Sequence, residues 1–361
     1  MNTNEHKFPI ILSIDTSCDE TSVSVTGGLK ILSNVVWSQS KIHAKFGGVV
    51  PAEARRQHEM KLNWVVQKSI SLSKINIKNL DAVAVTVGPG LAIALGVGIN
   101  YAKALAVKLH VPLIAVNHLE GHILSPLTTT QNSKIKIQKS KLLKFPAFGI
   151  VVSGGNTLLV YSEKIGLYKI LAQTIDDALG ESLDKSARLL GLGYPGGALL
   201  EKFAKSGYSE KYPFPLPMLG RENNGQYSYS GIKAAFSRLY NGLSENDKIT
   251  KQVVYDLAAS YQKVAFDHFF RVTSKILTNN LQPTTRNLLV GGGVAANVDF
   301  RKRVRRMCKK LNLAPLFPYS KRLYGDNAAM IGVAAYFKYL KKDFADPEKI
   351  DRLPNLKING L

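Results

Sequence analysis

Cysteine is nearly absent from this chain: its 361 residues include only Cys18 and Cys308. A disulfide framework does not fit that count, and a reducing compartment does. Long apolar runs are missing as well; none reaches the ~18 to 20 residues that a membrane span needs. The N-terminal stretch MNTNEHKFPIIL is poor in arginine and has no basic segment ahead of a long apolar one. Neither a secretory signal nor a transit peptide is therefore expected. Acidic residues are in deficit, with 26 Asp+Glu against 48 Lys+Arg and a net charge of +22. Such a surplus concerns partners and solubility rather than fold. It suits an extended polyanion such as RNA first and a membrane surface second, or it reflects a lysine-rich background composition.

What is present is a globular composition, 45% hydrophobic and 20% charged, with 29 glycines. The length exceeds what one core usually holds, so two lobes are expected. Residues 9–26, PIILSIDTSCDETSVSVT, read as a strand, a polar turn and a second strand. Residues 148–161, FGIVVSGGNTLLVY, repeat that design, which suggests a duplicated lobe. Between them, Asp81 to Leu109 reads as strand, Gly88-Pro89-Gly90, then helix, and a further strand is expected from Val111 to Val116. This is βαβ patterning and implies a parallel or mixed sheet. A third glycine loop, Gly291-Gly292-Gly293, lies between a strand and a helix.

His118 and His122 sit at i and i+4 of a short helix that Asn117 caps. Both rings then share one face, at a spacing that suits a single metal ion. A zinc protease needs its glutamate directly after the first histidine. Here the acid is Glu120, on another face, which argues against that class. Asp326 is a candidate third ligand, since it opens a helix expected from Asn327 to Tyr339; the competing reading is that it merely caps that helix. Two histidines and one carboxylate leave open coordination positions, which suits Fe(II) or Zn(II).

Three loops of small or hydroxyl residues follow strands: Asp15 to Thr21, Ser153 to Thr157 and Gly291 to Asn297. Such loops let backbone N–H groups approach an anion, although each alone is compatible with an ordinary tight turn. None matches the P-loop or dinucleotide fingerprint. Together, in a duplicated chain, they point to a nucleotide cleft and to an α/β fold of two mixed-sheet lobes. That arrangement is the actin-like ATPase, sugar-kinase and heat-shock superfold.

A collinear set of motifs then carries a family resemblance: Asp15-Thr16-Ser17-Cys18-Asp19-Glu20-Thr21, Phe46-Gly47-Gly48-Val49-Val50-Pro51, Gly88-Pro89-Gly90 and Asn117-His118-Leu119-Glu120-Gly121-His122. Val152-Ser153-Gly154-Gly155-Asn156-Thr157, Asp176-Asp177-Ala178-Leu179-Gly180-Glu181, Leu183-Asp184-Lys185 and Gly193-Tyr194-Pro195-Gly196-Gly197 continue it. Tyr229-Ser230-Gly231-Ile232-Lys233, Gly292-Gly293-Val294-Ala295-Ala296-Asn297 and Gly325-Asp326-Asn327 complete it. The chain thereby resembles the tRNA threonylcarbamoyladenosine transferase family of the TsaD type.

The resemblance implies an acyltransferase. It would move the threonylcarbamoyl group from threonylcarbamoyl-AMP to N6 of the adenosine beside the anticodon, in tRNAs reading codons that begin with A. His118, His122 and Asp326 would be metal ligands, for Fe(II) first and Zn(II) second. Val151, Val152, Ser153, Gly154, Gly155, Asp184, Gly197 and Asn297 would bind the adenylate, and Asp19 and Glu20 would sit at the reacting centre. Partners would be tRNA, an upstream adenylate-forming enzyme, and either a same-fold paralogue with a small ATPase or, in an organelle, a second copy. A cytoplasmic, membrane-free location follows from the same reasoning. Asn156 departs from the bacterial pattern, which has histidine there, whereas Val294-Ala295-Ala296-Asn297 agrees with the bacterial and organellar branch. A small-molecule kinase or ATPase of the same superfold is the alternative.

The expected layout is an N-terminal lobe over 1–127, a basic insertion over 128–146 and a C-terminal lobe over 147–325. The second lobe carries a loop-rich insertion near 198–245. A helix over 326–345 returns to the cleft, and 346–361 forms a frayed tail. Two basic runs stand out. One is Arg301-Lys302-Arg303-Val304-Arg305-Arg306 leading to Lys309 and Lys310; the other is Lys134, Lys136, Lys139, Lys141 and Lys144. Either could meet tRNA phosphates; the plainer readings are a solvated helix face and a flexible linker.

Overall fold

The structure is a computed structural model, and it describes residues 8–130, 144–245 and 249–360. The first sheet is built from β1 (Ile10–Asp15), β2 (Glu20–Gly27), β3 (Lys30–Ser38), β4 (Ala82–Gly88) and β5 (Leu113–Asn117). Its order is β3-β2-β1-β4-β5. β1 runs antiparallel to β2 and parallel to β4, and β4 is parallel to β5. Every residue of β1 and β4 is buried. That is what near-continuous apolar runs do at the centre of a sheet covered on both faces.

The second sheet takes β6 (Ala147–Val152), β7 (Thr157–Lys164), β8 (Leu167–Thr174), β9 (Gln226–Tyr227), β10 (Asn287–Gly291) and β11 (Ala314–Leu316). Its order is β11-β10-β6-β7-β8-β9. The run β8-β7-β6-β10-β11 reproduces β3-β2-β1-β4-β5 in order and in strand sense. The two hairpins seen in the sequence are thus equivalent parts of a duplicated mixed-sheet unit.

The helices are α1 (Ser40–His43), α2 (Pro51–Ser73), α3 (Ala92–Leu109), α4 (His118–Leu124), α5 (Leu179–Leu189), α6 (Gly197–Ala204), α7 (Ser230–Ser244), α8 (Lys251–Asn280), α9 (Val298–Lys310) and α10 (Ala328–Leu340). Among the described residues, only α3 is long and apolar enough to cross a membrane. One face of it, with Leu95, Ile99, Ala102 and Ala106, is buried in the core of the first sheet. Met330 and Ile331 of α10 and Leu119 and Ile123 of α4 share one core with Ile11 and Ala82 of the first sheet and Val151 and Leu289 of the second. That shared core joins the two halves. It leaves the carboxyl ends of β1, β4, β6 and β10 around one cleft, where open α/β sheets usually bind ligands.

Two expectations fare differently. The C-terminal tail is not frayed. Leu353 N–H donates to Val87 O at 2.7 Å, Gly90 N–H donates to Pro354 O at 3.1 Å, and Ile350 and Ile358 are buried. These two apolar anchors tie the tail across the ends of β4 and β5, a gain that its polar composition conceals. Lys134, Lys136, Lys139 and Lys141 of the basic insertion lie outside the described residues. Lys144, the last of that run, donates its backbone N–H to Asn287 Oδ1 at 2.8 Å.

Candidate metal centre and nucleotide cleft

Helix α4 begins where β5 ends because Asn117 Oδ1 accepts the Leu119 N–H at 2.9 Å. One turn then brings the His118 and His122 rings to a centroid separation of 4.7 Å. Asp326 arrives from far along the chain. Its Oδ1 lies 3.2 Å from His122 Nε2 and 3.5 Å from His118 Nε2. The residue that caps α10 is Asn327, whose Oδ1 accepts from Met330 N–H at 3.4 Å. Asp326 is therefore not used as the cap and faces the histidines instead.

The donor set fits a single cation. The three ligand atoms lie within 4.8 Å of one another. Both ring nitrogens of His122 and Nδ1 of His118 are buried without a hydrogen-bond partner, so the 3.2 Å approach of Asp326 is close but misaligned. Orphaned buried donors and acceptors need an explanation, and two imidazoles with one carboxylate are a familiar set for a divalent transition metal.

Protonation reflects the same convergence. Burial opposes charge on His118, yet Asp326 and Asp15 outweigh it and push the group up to about 10. His122 moves down, because burial prevails there over Asp326. Asp326 stays below the usual carboxylate range despite its burial, held down by His118 and His122. Glu120 takes no part; it is buried and accepts from Tyr168 Oη at 2.9 Å.

The centre forms the floor of a cleft of about 790 Å³ that reaches from Asp19 and Glu20 to Ser153, Gly154 and Gly155. The acidic loop is held from below by His58 on α2. One ring nitrogen of His58 lies 2.8 Å from Thr21 Oγ1 and the other 2.9 Å from Cys18 O. Gly90 supports the same loop, because a side chain there would meet Ser17 O at 2.5 Å. Burial, and then the charges of Asp19 and Asp326, raise the Glu20 carboxyl well above its ordinary range, while Ser38 Oγ donates to it at 3.0 Å.

Across the cleft, Val151 and Val152 are fully buried at the end of β6 with their side chains in the two cores, and the cleft lining begins one residue later, at Ser153. Ser153 N–H bonds Asn156 O at 2.9 Å, and Asn156 N–H bonds Ser153 Oγ at 3.1 Å. A side chain at Gly154 or Gly155 would meet nothing within 4 Å, so these two present bare backbone to the cleft. Asp184 Oδ1 accepts from Gly196 N–H at 2.9 Å and Gly197 N–H at 2.6 Å at the start of α6. Burial raises this carboxyl against the pull of those two N–H groups.

Asn297 differs from its neighbours in the expected set. Its Oδ1 accepts the Phe300 N–H at 3.1 Å as the cap of α9, and its Nδ2 donates to Gln262 Oε1 at 2.8 Å. Gly293, not Asn297, is the residue of that loop that lines the cleft. Gly292 stands at φ 94°, and a Cβ there would lie 2.3 Å from Val152 O, so the strand-to-helix turn requires glycine. The sequence motifs include Lys185 without a role and omit Arg188; both line the wall beside Glu181 and Asp184. Their i, i+3, i+4, i+7 spacing on α5 places all four on one face and was the available signal. Arg188 also spans the cleft, donating to Gly47 O at 2.8 Å.

The duplicated mixed-sheet fold, with its cleft between the two halves, is that of the actin-like, sugar-kinase and heat-shock class. Solved structures bear out the fold. HypF of T. kodakarensis aligns with a TM-score of 0.59 and 16% identity, over 93% of this chain and 48% of that longer one. HypF in a phosphate- and nucleotide-bound form aligns at 0.54 and 12%, over 93% and 56%. The profile described as tRNA N6-adenosine threonylcarbamoyltransferase matches residues 30–333, and the chain belongs to that family. Proteins of that name from Desulfitobacterium hafniense and Thermosipho africanus are 42% and 41% identical, over 96% and 97% of this chain and 97% and 100% of their own length.

Proposed function

We propose that this chain transfers the threonylcarbamoyl group from threonylcarbamoyl-AMP to N6 of a tRNA adenosine, forming threonylcarbamoyladenosine and releasing AMP. The observation that carries this reading is family membership along nearly the whole chain, with relatives of that name matched end to end. The target is the adenosine beside the anticodon, position 37, in tRNAs reading ANN codons.

The substrate is already a mixed anhydride, so the protein's task is positioning and charge stabilisation. N6 attacks the carbamoyl carbon, the N–C bond forms, and the C–O bond to phosphate breaks. The bare backbone of Gly154 and Gly155 supports a role in holding the phosphoryl side. Asp184 orients the nucleoside, with one oxygen already fixed by Gly196 and Gly197. Asp19 or Glu20 takes the proton from N6. His118, His122 and Asp326 would hold a divalent metal, Fe(II) ahead of Zn(II), which when bound supplies Lewis-acid polarisation of the carbamoyl oxygen.

The tRNA is recognised through its backbone. Lys302, Arg305, Arg306, Lys309 and Lys310 form an exposed ridge on α9. Arg301 and Arg305 tie this helix to the segment before Asp326 through the rings of Tyr324 and Phe317, at 5.5 and 5.0 Å. Exposed Met60, Trp64 and Leu72 on α2 and Val107 on the adjoining α3 support a protein partner, either a same-fold paralogue assisted by a small ATPase or a second copy. An upstream enzyme supplies the adenylate, and the cytoplasm is the proposed location.

The test combines the purified chain, unmodified ANN-decoding tRNA, threonine, bicarbonate, ATP, the adenylate-forming enzyme and helper proteins. Nucleoside mass spectrometry reads threonylcarbamoyladenosine. Product is expected; ATP turnover without tRNA and without product would instead favour a kinase or ATPase.

A further inference from the structure

Asp15 ends β1 directly beneath the metal centre and is 1% exposed. Its two oxygens have different surroundings. Oδ1 accepts the Ser17 N–H at 3.2 Å and so holds the turn into the acidic loop. Oδ2 is buried and has no hydrogen-bond partner. The nearest base is His118, whose Nδ1 lies 3.7 Å away and is likewise buried and unpartnered. The other nitrogen of that ring, Nε2, is the one that faces Asp326. His118 therefore stands between two carboxylates, one at each nitrogen.

We propose that Asp15 is a positioning residue: it accepts the Nδ1–H of His118 and thereby fixes the tautomer that presents Nε2 as a ligand. A neutral imidazole carries one proton, and only the unprotonated nitrogen can coordinate. An outer carboxylate that takes the proton on the far nitrogen sets both the tautomer and the orientation of the ring. Charge supports the same assignment. A divalent ion held by Asp326 alone leaves a buried net positive charge, and Asp15 brings the sum of these three charges to zero. His122 has no such arrangement: among the described residues its ring meets one carboxylate, Asp326, on Nε2, and none stands within ion-pair distance of its Nδ1. Control of the centre thus falls on His118. This inference rests on the metal-centre reading given above.

The discriminating variant is Asp15→Asn. Its amide oxygen can still accept from Ser17 N–H, which keeps the turn. Its amide NH2 then faces His118 Nδ1, favours the opposite tautomer and puts a proton on Nε2. The measurement is Co(II) affinity, followed by visible absorption on the metal-free full chain, with thermal unfolding of the same samples. Asp15→Asn is expected to weaken Co(II) binding by about 10- to 100-fold with the metal-free melting profile retained, and Asp15→Glu to recover most of the affinity. Long-range proton–nitrogen NMR of the Zn(II)-loaded wild type reads the tautomer without any substitution, and a proton on His118 Nδ1 is expected. Unchanged Co(II) affinity in Asp15→Asn, or a proton on His118 Nε2 in the loaded wild type, overturns the role of Asp15. Full Co(II) affinity in His118→Ala would instead remove the metal-centre reading itself.

Discussion

Asp326 Oδ1 stands 3.2 Å from His122 Nε2, although α4 and the start of α10 belong to distant parts of the chain. The contact exists because α4 and α10 pack together in the core shared by both sheets. His122→Ala and Asp326→Ala should each abolish stoichiometric metal binding and lower threonylcarbamoyladenosine formation by at least ~100-fold. Metal content and nucleoside mass spectrometry on the same preparations check this. Full activity in a metal-free Asp326→Ala sample would contradict it.

His58 supports the acidic loop from beneath, through Cys18 O and Thr21 Oγ1. In His58→Phe both groups lose their partner inside the protein. A buried polar group left unpaired costs about 1 to 3 kcal/mol, so chemical denaturation should show a loss of that order. A fall in kcat with little change in KM should accompany it, because the loop carries Asp19 and Glu20 without the phosphoryl-binding wall.

The pH dependence of stability has an identifiable contributor in His268. Its Nε2 accepts the Ser228 N–H at 3.0 Å. Burial and the neighbouring Arg271 charge push the group down to about 4. In the unfolded chain histidine titrates near 6.5. Above that pH neither state binds the proton, and the stabilisation is fully present. Between about 6.5 and 4 the unfolded chain takes up a proton that the folded one refuses, so stability falls as pH falls. Urea unfolding across this window should show the loss, and His268→Gln should flatten that part of the profile.

The α9 ridge separates affinity from catalysis. Replacing both Arg306 and Lys310, exposed on the ridge, by alanine should weaken tRNA binding across sequences and reduce the slope of log K against log salt by about 2. Filter binding at several salt concentrations measures it. Co(II) affinity should not change, and an unchanged salt slope would place the tRNA elsewhere.

Much of the site was legible because local rules act on it. The i and i+4 spacing of His118 and His122, the Asn117 cap and the glycine loops after strands each have a short-range physical cause. The hairpins at 9–26 and 148–161 likewise announced the duplication that the sheet order displays. Asn297 was harder to read. Its ligand role came from the family resemblance alone, and only packing against α8 shows its side chain engaged by Gln262 and by the α9 cap. The tail was misread because its scattered apolar side chains give no periodic signal, yet the burial of Ile350 and Ile358 is enough to tie it to β4 and β5.

The sequence by itself determined the elements, the loops and the residue types of the centre, since propensity, capping and hydrophobic alternation act over a few residues. Only the tertiary structure decided which of two adjacent polar residues, Asp326 or Asn327, would cap α10 and which would face the histidines. It also set Asp15 behind His118. Those choices depend on how α4, β1 and α10 pack, and packing is governed by contacts between residues far apart in the chain, which no local pattern encodes.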